Sequence, residues 1–303
     1  MKAIIVHGGA WNIPEELHEA HIKGCAKAVD IGYDLLRSGS GSLEAVYAAV
    51  EFMESDCTFD AGCGSFLNAA GEVEMDAIIM NGRTLELGSV AAIKNVRHPI
   101  SVARMVMERT KHCMLVGEGA TKFANSVGIE LIPTEELVSP RELERWKMIR
   151  STGSYEQKDS FTSFKEGPMG TVGAVAIDDE GDICVATSTG GTPNKMVGRV
   201  GDSPLVGCGT YADNHSAGVS ATGFGEALMK ICIARRICCN VEKGMDAPTA
   251  AYEAIRYLAD RVDGHGGVVV IDKKGNIGYH FNTPRMAIAY VDKDGKRTST
   301  VLK

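Results

Sequence analysis

Three short segments hold side chains that could do chemistry together: Gly170-Thr171, Gly198-Arg199-Val200-Gly201-Asp202 and Thr222-Gly223-Phe224-Gly225. A threonine hydroxyl is a poor nucleophile until a base takes its proton. A backbone cut before Thr171 would leave a free α-amine beside that hydroxyl. Such an amine titrates near ~8, close enough to neutrality to serve as the base. The same hydroxyl could first attack the preceding carbonyl, so one oxygen would serve both the cut and turnover. Gly170 tolerates the strained backbone this needs. Taken alone, a threonine after a glycine is a β-former at a strand start, and context must decide. In the second segment a cation and an anion share a glycine loop. The planar fork of Arg199 suits a carboxylate and Asp202 suits an ammonium, the two free ends of an amino acid. The plainer reading is a surface ion pair in a turn. The third segment is a glycine loop before a helix, or simply an N-terminal turn.

The elements around these segments set where they lie. AIIV at 3–6 reads as a buried strand running into a His7-Gly8-Gly9 turn. Residues 14–37 read as a helix with Leu17, Ile22, Cys25, Val29 and Leu36 on one face. A second helix runs from Leu43 to Met53, with Ser42 as its N-cap. Residues 72–93 read as two strands around an Asn81–Gly82 turn. Pro99 and Pro140 each open a helix, with a shorter helix at 118–127 between them. Residues 151–167 are polar and lack helical period, which predicts a linker directly before Gly170-Thr171. TVGAVAID-DEG-DICVATS and GGVVVID-KKG-NIGYHF each read as strand, turn and strand, with helices at 225–240 and 247–262 between them. This order predicts a single α+β domain of helices on two antiparallel sheets, into which a four-layer α/β/β/α sandwich fits.

The 303 residues suffice for one large core without disulfides or metals. A net charge of −7 argues against nucleic acid and anionic membrane as partners. No run of 18 apolar residues spans a bilayer. The apolar run at the start is too short for a signal peptide. Nine cysteines, odd in number and without C-x-x-C, are expected to be reduced, which implies a cytoplasmic protein. No histidine or cysteine set has zinc spacing, and no cofactor is expected.

HGGA at 7–10, DAGCGS at 60–65, EVEMDA at 72–77, GTVGAVA at 170–176, TSTGG at 187–191, NKMVGRVGDSP at 194–204, YADN at 211–214 and FNT at 281–283 resemble one family over nearly the whole chain. It is the type 2, or plant-type, asparaginases and isoaspartyl peptidases, N-terminal nucleophile hydrolases with the sandwich fold named above. The resemblance implies self-cleavage between Gly170 and Thr171, giving chains 1–170 and 171–303. Thr171 is then the nucleophile for asparagine and β-aspartyl dipeptides, oriented by Thr189. Arg199, Val200, Gly201 and Asp202 bind substrate, with Thr222, Gly223, Phe224 and Gly225 completing the pocket. Thr222 and the Gly223 N–H stabilise the oxyanion. The backbone carbonyls of Met53, Glu54, Asp56, Phe59, Ala61 and Cys63 would hold a structural sodium ion, since oxygen ligands suit a hard cation. A homodimer of processed units is implied as well. Two positions depart from the family pattern. Asp60 stands near the nucleophile where asparagine is common, and a carboxylate there would raise the pKa of the Thr171 amine. Trp11 stands where a further glycine is usual, which bears on the efficiency of self-cleavage. Alternatives are a glycosylasparaginase-like amidase, a protein-cleaving threonine protease, and a weakly active or silent ligand-binding homologue. The absent signal peptide counts against the first and the Arg199–Asp202 pair against the second.

Overall fold

The strands that flank Thr171 are apolar at nearly every position because both of their faces are covered. In the computed structural model, which describes residues 1–152 and 170–303, twelve strands form two sheets among the described residues. The larger sheet has the order β12-β11-β1-β5-β6-β2-β3-β4. Its members are β1 (Ala3–Trp11), β2 (Met75–Asn81), β3 (Leu87–Ile93), β4 (Met114–Val116), β5 (Val172–Ile177), β6 (Ile183–Thr189), β11 (Arg285–Val291) and β12 (Arg297–Leu302). The smaller sheet has the order β10-β9-β8-β7, from β7 (Thr210–Ala212), β8 (Ala217–Gly223), β9 (Gly266–Asp272) and β10 (Ile277–Phe281). All pairings are antiparallel except β3 with β4.

Alternation along the strands divides the interior into three apolar clusters. Ile4 and Val6 of β1 point to one cluster, shared with α1 (Glu15–Arg37), α2 (Ser42–Ser55) and α3 (Pro99–Arg109). Ala3 and Ile5 point the other way, to a cluster with Val175, Val185, Val269 and Ile271 that fills the space between the sheets. Val268 and Val270 face a third cluster, with α6 (Gly225–Ile231), α7 (Ile233–Glu242) and α8 (Ala247–Val262). The fold is thus mixed α+β. The remaining helices are α4 (Gly117–Ser126) and α5 (Pro140–Thr152). Among the described residues, no helix is long and apolar enough to cross a membrane.

Several local expectations change. The His7-Gly8-Gly9 stretch is not a turn: β1 runs through it, with a bulge between His7 and Ala10 and φ of 102° at Gly9. Ser42 is not the N-cap of α2; Gly41 is, and the Ser42 N–H donates instead to Asp178 Oδ2 at 2.9 Å. The helix at 225–240 breaks at Cys232, whose φ of 47° and ψ of 56° are left-handed. Cys57 and Cys63 are not reduced but joined in a disulfide, their Cα atoms 5.2 Å apart across a tight loop. Of the expected linker at 151–167, Ser151 and Thr152 close α5, and the rest lies outside the described residues.

Candidate active site

Register brings Thr171 to the centre of the larger sheet. β5 lies between β1 and β6, and Val172 pairs with Ser188, so Thr171 comes level with Thr189. The Thr171 hydroxyl donates to Thr189 Oγ1 at 3.1 Å. Thr189 Oγ1 donates in turn to Asp60 Oδ2 at 3.3 Å and accepts the Gly191 N–H at 2.9 Å. All three side chains are buried. The backbone N–H of Asp60 donates to the Gly170 carbonyl at 3.3 Å. Asp60 therefore touches the carbonyl that Thr171 would attack and, through Thr189, the attacking hydroxyl. Burial pushes the Asp60 carboxyl well above the usual carboxylate range, against the pull of the Phe66 N–H.

On the far side of Thr171 lies His7, fully buried and desolvated until its pKa falls to about 3. His7 Nε2 is 2.8 Å from Ser220 Oγ, which is 2.8 Å from Thr187 Oγ1. Thr210 donates to Thr187 at 2.6 Å and to the Ser203 carbonyl at 3.3 Å. This polar chain crosses between the sheets to the loop that carries Asp202.

That loop is set by residues the sequence reading did not single out. Glu226, at the start of α6, accepts both Nε and Nη2 of Arg199 at 2.9 Å. Burial opposes the charge on Arg199, but the Glu226 pair outweighs it and raises the guanidinium pKa. Lys195 is buried and donates to the Glu74 carbonyl at 2.8 Å, while Glu74 Oε2 accepts the Gly198 N–H at 2.9 Å. Burial lowers the Lys195 pKa and raises that of Asp76, each partly offset by the other. Arg199 and Asp202 stand together: a Cβ on Gly225 would lie 2.9 Å from Asp202 Oδ1 and 3.0 Å from Arg199 Nη2. Val200 is half-buried and Gly201 buried between them. Asp202 Oδ2 is buried with no hydrogen-bond partner among the described residues. Burial pushes its carboxyl up to about 7, with Arg199 pulling the other way. A buried carboxyl beside a guanidinium held by Glu226 sets an acidic and a cationic group side by side.

Thr222 and Gly223 end β8, just before Phe224 and Gly225 lead into α6. Gly223 has φ of 140°, and a Cβ there would lie 2.4 Å from Gly266 Cα. No hydrogen bond among the described residues joins Thr222 or Gly223 to Thr171. The 53–63 loop presents backbone oxygens. The carbonyls of Met53, Asp56 and Ala61 each accept one N–H and keep a second lone pair. A Cβ on Gly62 would lie 2.0 Å from the Glu54 carbonyl oxygen, and one on Gly64 would lie 1.9 Å from that of Phe59. Only glycine lets these carbonyls crowd together, and the loop fits a hard cation. Trp11, at the end of β1, packs near Gly170. It is 2% exposed, and its Nε1 lies 3.4 Å from where a Cβ on Gly170 would be.

The family model described as Asparaginase matches residues 1–301. The chain belongs to the asparaginase family. It is 46% identical over 289 residues to the isoaspartyl peptidase/L-asparaginase of Danio rerio, covering 95% of this chain and 92% of the relative. The human protein of the same name is 43% identical over 294 residues, covering 97% of this chain and 94% of that relative. The plant-type L-asparaginase of Pyrococcus horikoshii is 45% identical over 305 residues, covering 97% of each chain.

Proposed function

We propose that the chain is a self-processing threonine amidohydrolase that releases ammonia from asparagine and cleaves β-aspartyl dipeptides. Membership of the asparaginase family and the names of the relatives support the reaction class. The observation that carries the assignment is the Thr171 hydroxyl, held at 3.1 Å by Thr189 one residue after a carbonyl that touches Asp60. Cleavage between Gly170 and Thr171 frees the α-amine, which takes the hydroxyl proton as the oxygen attacks the substrate amide. Arg199 holds the α-carboxylate and Asp202 the α-ammonium, fixing which amide meets Thr171. Thr222 and the Gly223 N–H stabilise the oxyanion. The proton then passes to the leaving amine, and water releases aspartate from the threonine ester.

The sandwich layering α/β/β/α belongs to this reading, supported by three apolar clusters between successive layers. So does a sodium ion held by the carbonyls of Met53, Glu54, Asp56, Phe59, Ala61 and Cys63, which supplies local charge and rigidity to the loop. The family resemblance also supports a homodimer of processed units. Intact-mass spectra of purified protein over days test the central claim. Two fragments meeting at Gly170–Thr171 are expected, with ammonia released from asparagine. A chain that stays whole and releases nothing from either substrate class would refute it.

A further inference from the structure

We infer that the indole N–H of Trp11 is the second donor of an oxyanion site used in self-cleavage, completing the one donor that the Asp60 backbone provides. The inference rests on the reading of Gly170–Thr171 as the cleavage site. Three observations carry it. Trp11 Nε1 is buried without any hydrogen-bond partner among the described residues. An orphaned buried donor is uncommon and asks for an acceptor. Antiparallel register then brings the end of β1 toward the cleavage site: His7 pairs with Gly173, and Gly9 Cα lies 3.7 Å from the Cβ position of Gly170. Trp11 Nε1 accordingly lies 3.4 Å from the Cβ position of Gly170, and the Gly8 carbonyl 3.1 Å from it. Finally, a cavity of about 10 Å³ lies between Trp11, Asp60, Phe66, His21 and Gly170. That is the scale of one small polar atom group, next to the carbonyl that must change shape.

The chemistry explains why a second donor is wanted. Thr171 Oγ forms a bond to the Gly170 carbonyl carbon, and the π electrons move onto oxygen. The planar carbonyl accepts one N–H, from Asp60 at 3.3 Å. The tetrahedral oxyanion carries a full charge and moves out of the old amide plane. The Asp60 side chain has no N–H to offer: Oδ1 accepts from Phe66 at 3.1 Å and Oδ2 from Thr189 at 3.3 Å. Trp11 is the neighbouring donor without a partner among the described residues. The C–N bond then breaks, and the proton lost by the hydroxyl ends on the departing nitrogen. Water hydrolyses the ester, leaving a Gly170 carboxylate and the Thr171 hydroxyl. A donor idle in the ground state and used in the transition state lowers the barrier rather than deepening the starting well.

The test is the rate of self-cleavage of freshly purified full-length chain, followed by intact mass. Trp11→Phe keeps an aromatic ring and removes the N–H, and should slow cleavage about 10²-fold, the usual loss for one oxyanion donor. Cleavage at the wild-type rate would overturn the inference while leaving the assignment of Thr171 intact. Failure of the unmodified chain to cleave would overturn both. Should Trp11→Phe fail to fold, 7-azatryptophan placed at position 11 decides. Its more acidic N–H keeps the packing and should speed cleavage, which a purely structural ring would not do; an unchanged rate overturns the inference.

Discussion

Asp202 holds a buried oxygen without a partner among the described residues, and its pKa is pushed up to about 7, burial being the main cause. In the free enzyme it must lose its proton before it can hold an ammonium. The dependence of kcat/KM on pH reports the free enzyme, so its acid limb should carry two protons, from Asp202 and from the Thr171 amine near ~8. A bound ammonium lowers the Asp202 pKa, so kcat should keep only the amine. Rate profiles from pH 5 to 9 check this; a kcat/KM limb of unit slope would refute it. Arg199 is oriented by Glu226 through two 2.9 Å bonds, and neither residue touches the cleavage site. Arg199→Ala should leave self-cleavage intact and cost roughly 10²-fold in kcat/KM, the scale of a charge-assisted contact. Thr171→Ala should abolish both cleavage and turnover, read by mass and ammonia release. The segments holding Thr171, Arg199 to Asp202 and Thr222 to Gly225 were legible as candidates from residue type and motif. Glu226, Lys195 and Glu74 were not, because their roles arise from partners up to 124 residues away that only the sheet order brings near.

The loop after α2 shows how an element converts local crowding into position. Its disulfide closes across a separation of six residues, and Asp60 lies inside the ring. Spacing gave no hint of that bond, since the signal is a backbone fold rather than a motif. Gly64 was part of a motif, yet its reason is steric: any Cβ would overlap the Phe59 carbonyl at 1.9 Å. Gly64→Ala should therefore displace Phe59 and Asp60 together, lowering both Tm and the rate of self-cleavage. An unchanged melt and cleavage rate would contradict this account. Opening the disulfide with reductant should cost roughly 2 kcal/mol by the loop-entropy relation, seen as a drop of a few degrees in Tm. The Asn81–Gly82 signal likewise located a hairpin but not its loop. Gly82 donates to Ile183 and accepts from Asn214, so contacts outside the hairpin set the longer connection.

Short apolar runs broken by turn residues made the strands and their covering helices readable, but burying both faces of β1, β5 and β9 hid which side faces which cluster. The same burial couples the whole molecule to pH through groups that have no access to water. Two of them pull in opposite directions. His7 falls from 6.5 to about 3, mainly by desolvation. The unfolded chain then binds the extra proton between those values, so stability from His7 is complete above pH 6.5 and is lost as pH falls toward 3. Asp202 rises from 3.8 to about 7. Here the folded chain binds the extra proton, so stability falls as pH rises from 3.8 to about 7. Each group contributes a slope of about 1.4 kcal/mol per pH unit, and over the shared window the two slopes cancel. Removing one should expose the other. Relative to wild type, Asp202→Asn should gain stability steadily from pH 4.5 to 6.5, by roughly 3 kcal/mol in all, because its unfolded chain has no acid at this position to ionise. His7→Gln should show the opposite tilt over the same range. Urea unfolding of the three proteins at half-unit pH intervals measures both differences, and common effects of other buried groups drop out of the comparison. Parallel stability curves for wild type and Asp202→Asn would mean that Asp202 is already ionised in the folded chain, and that the ammonium receptor is charged before substrate arrives.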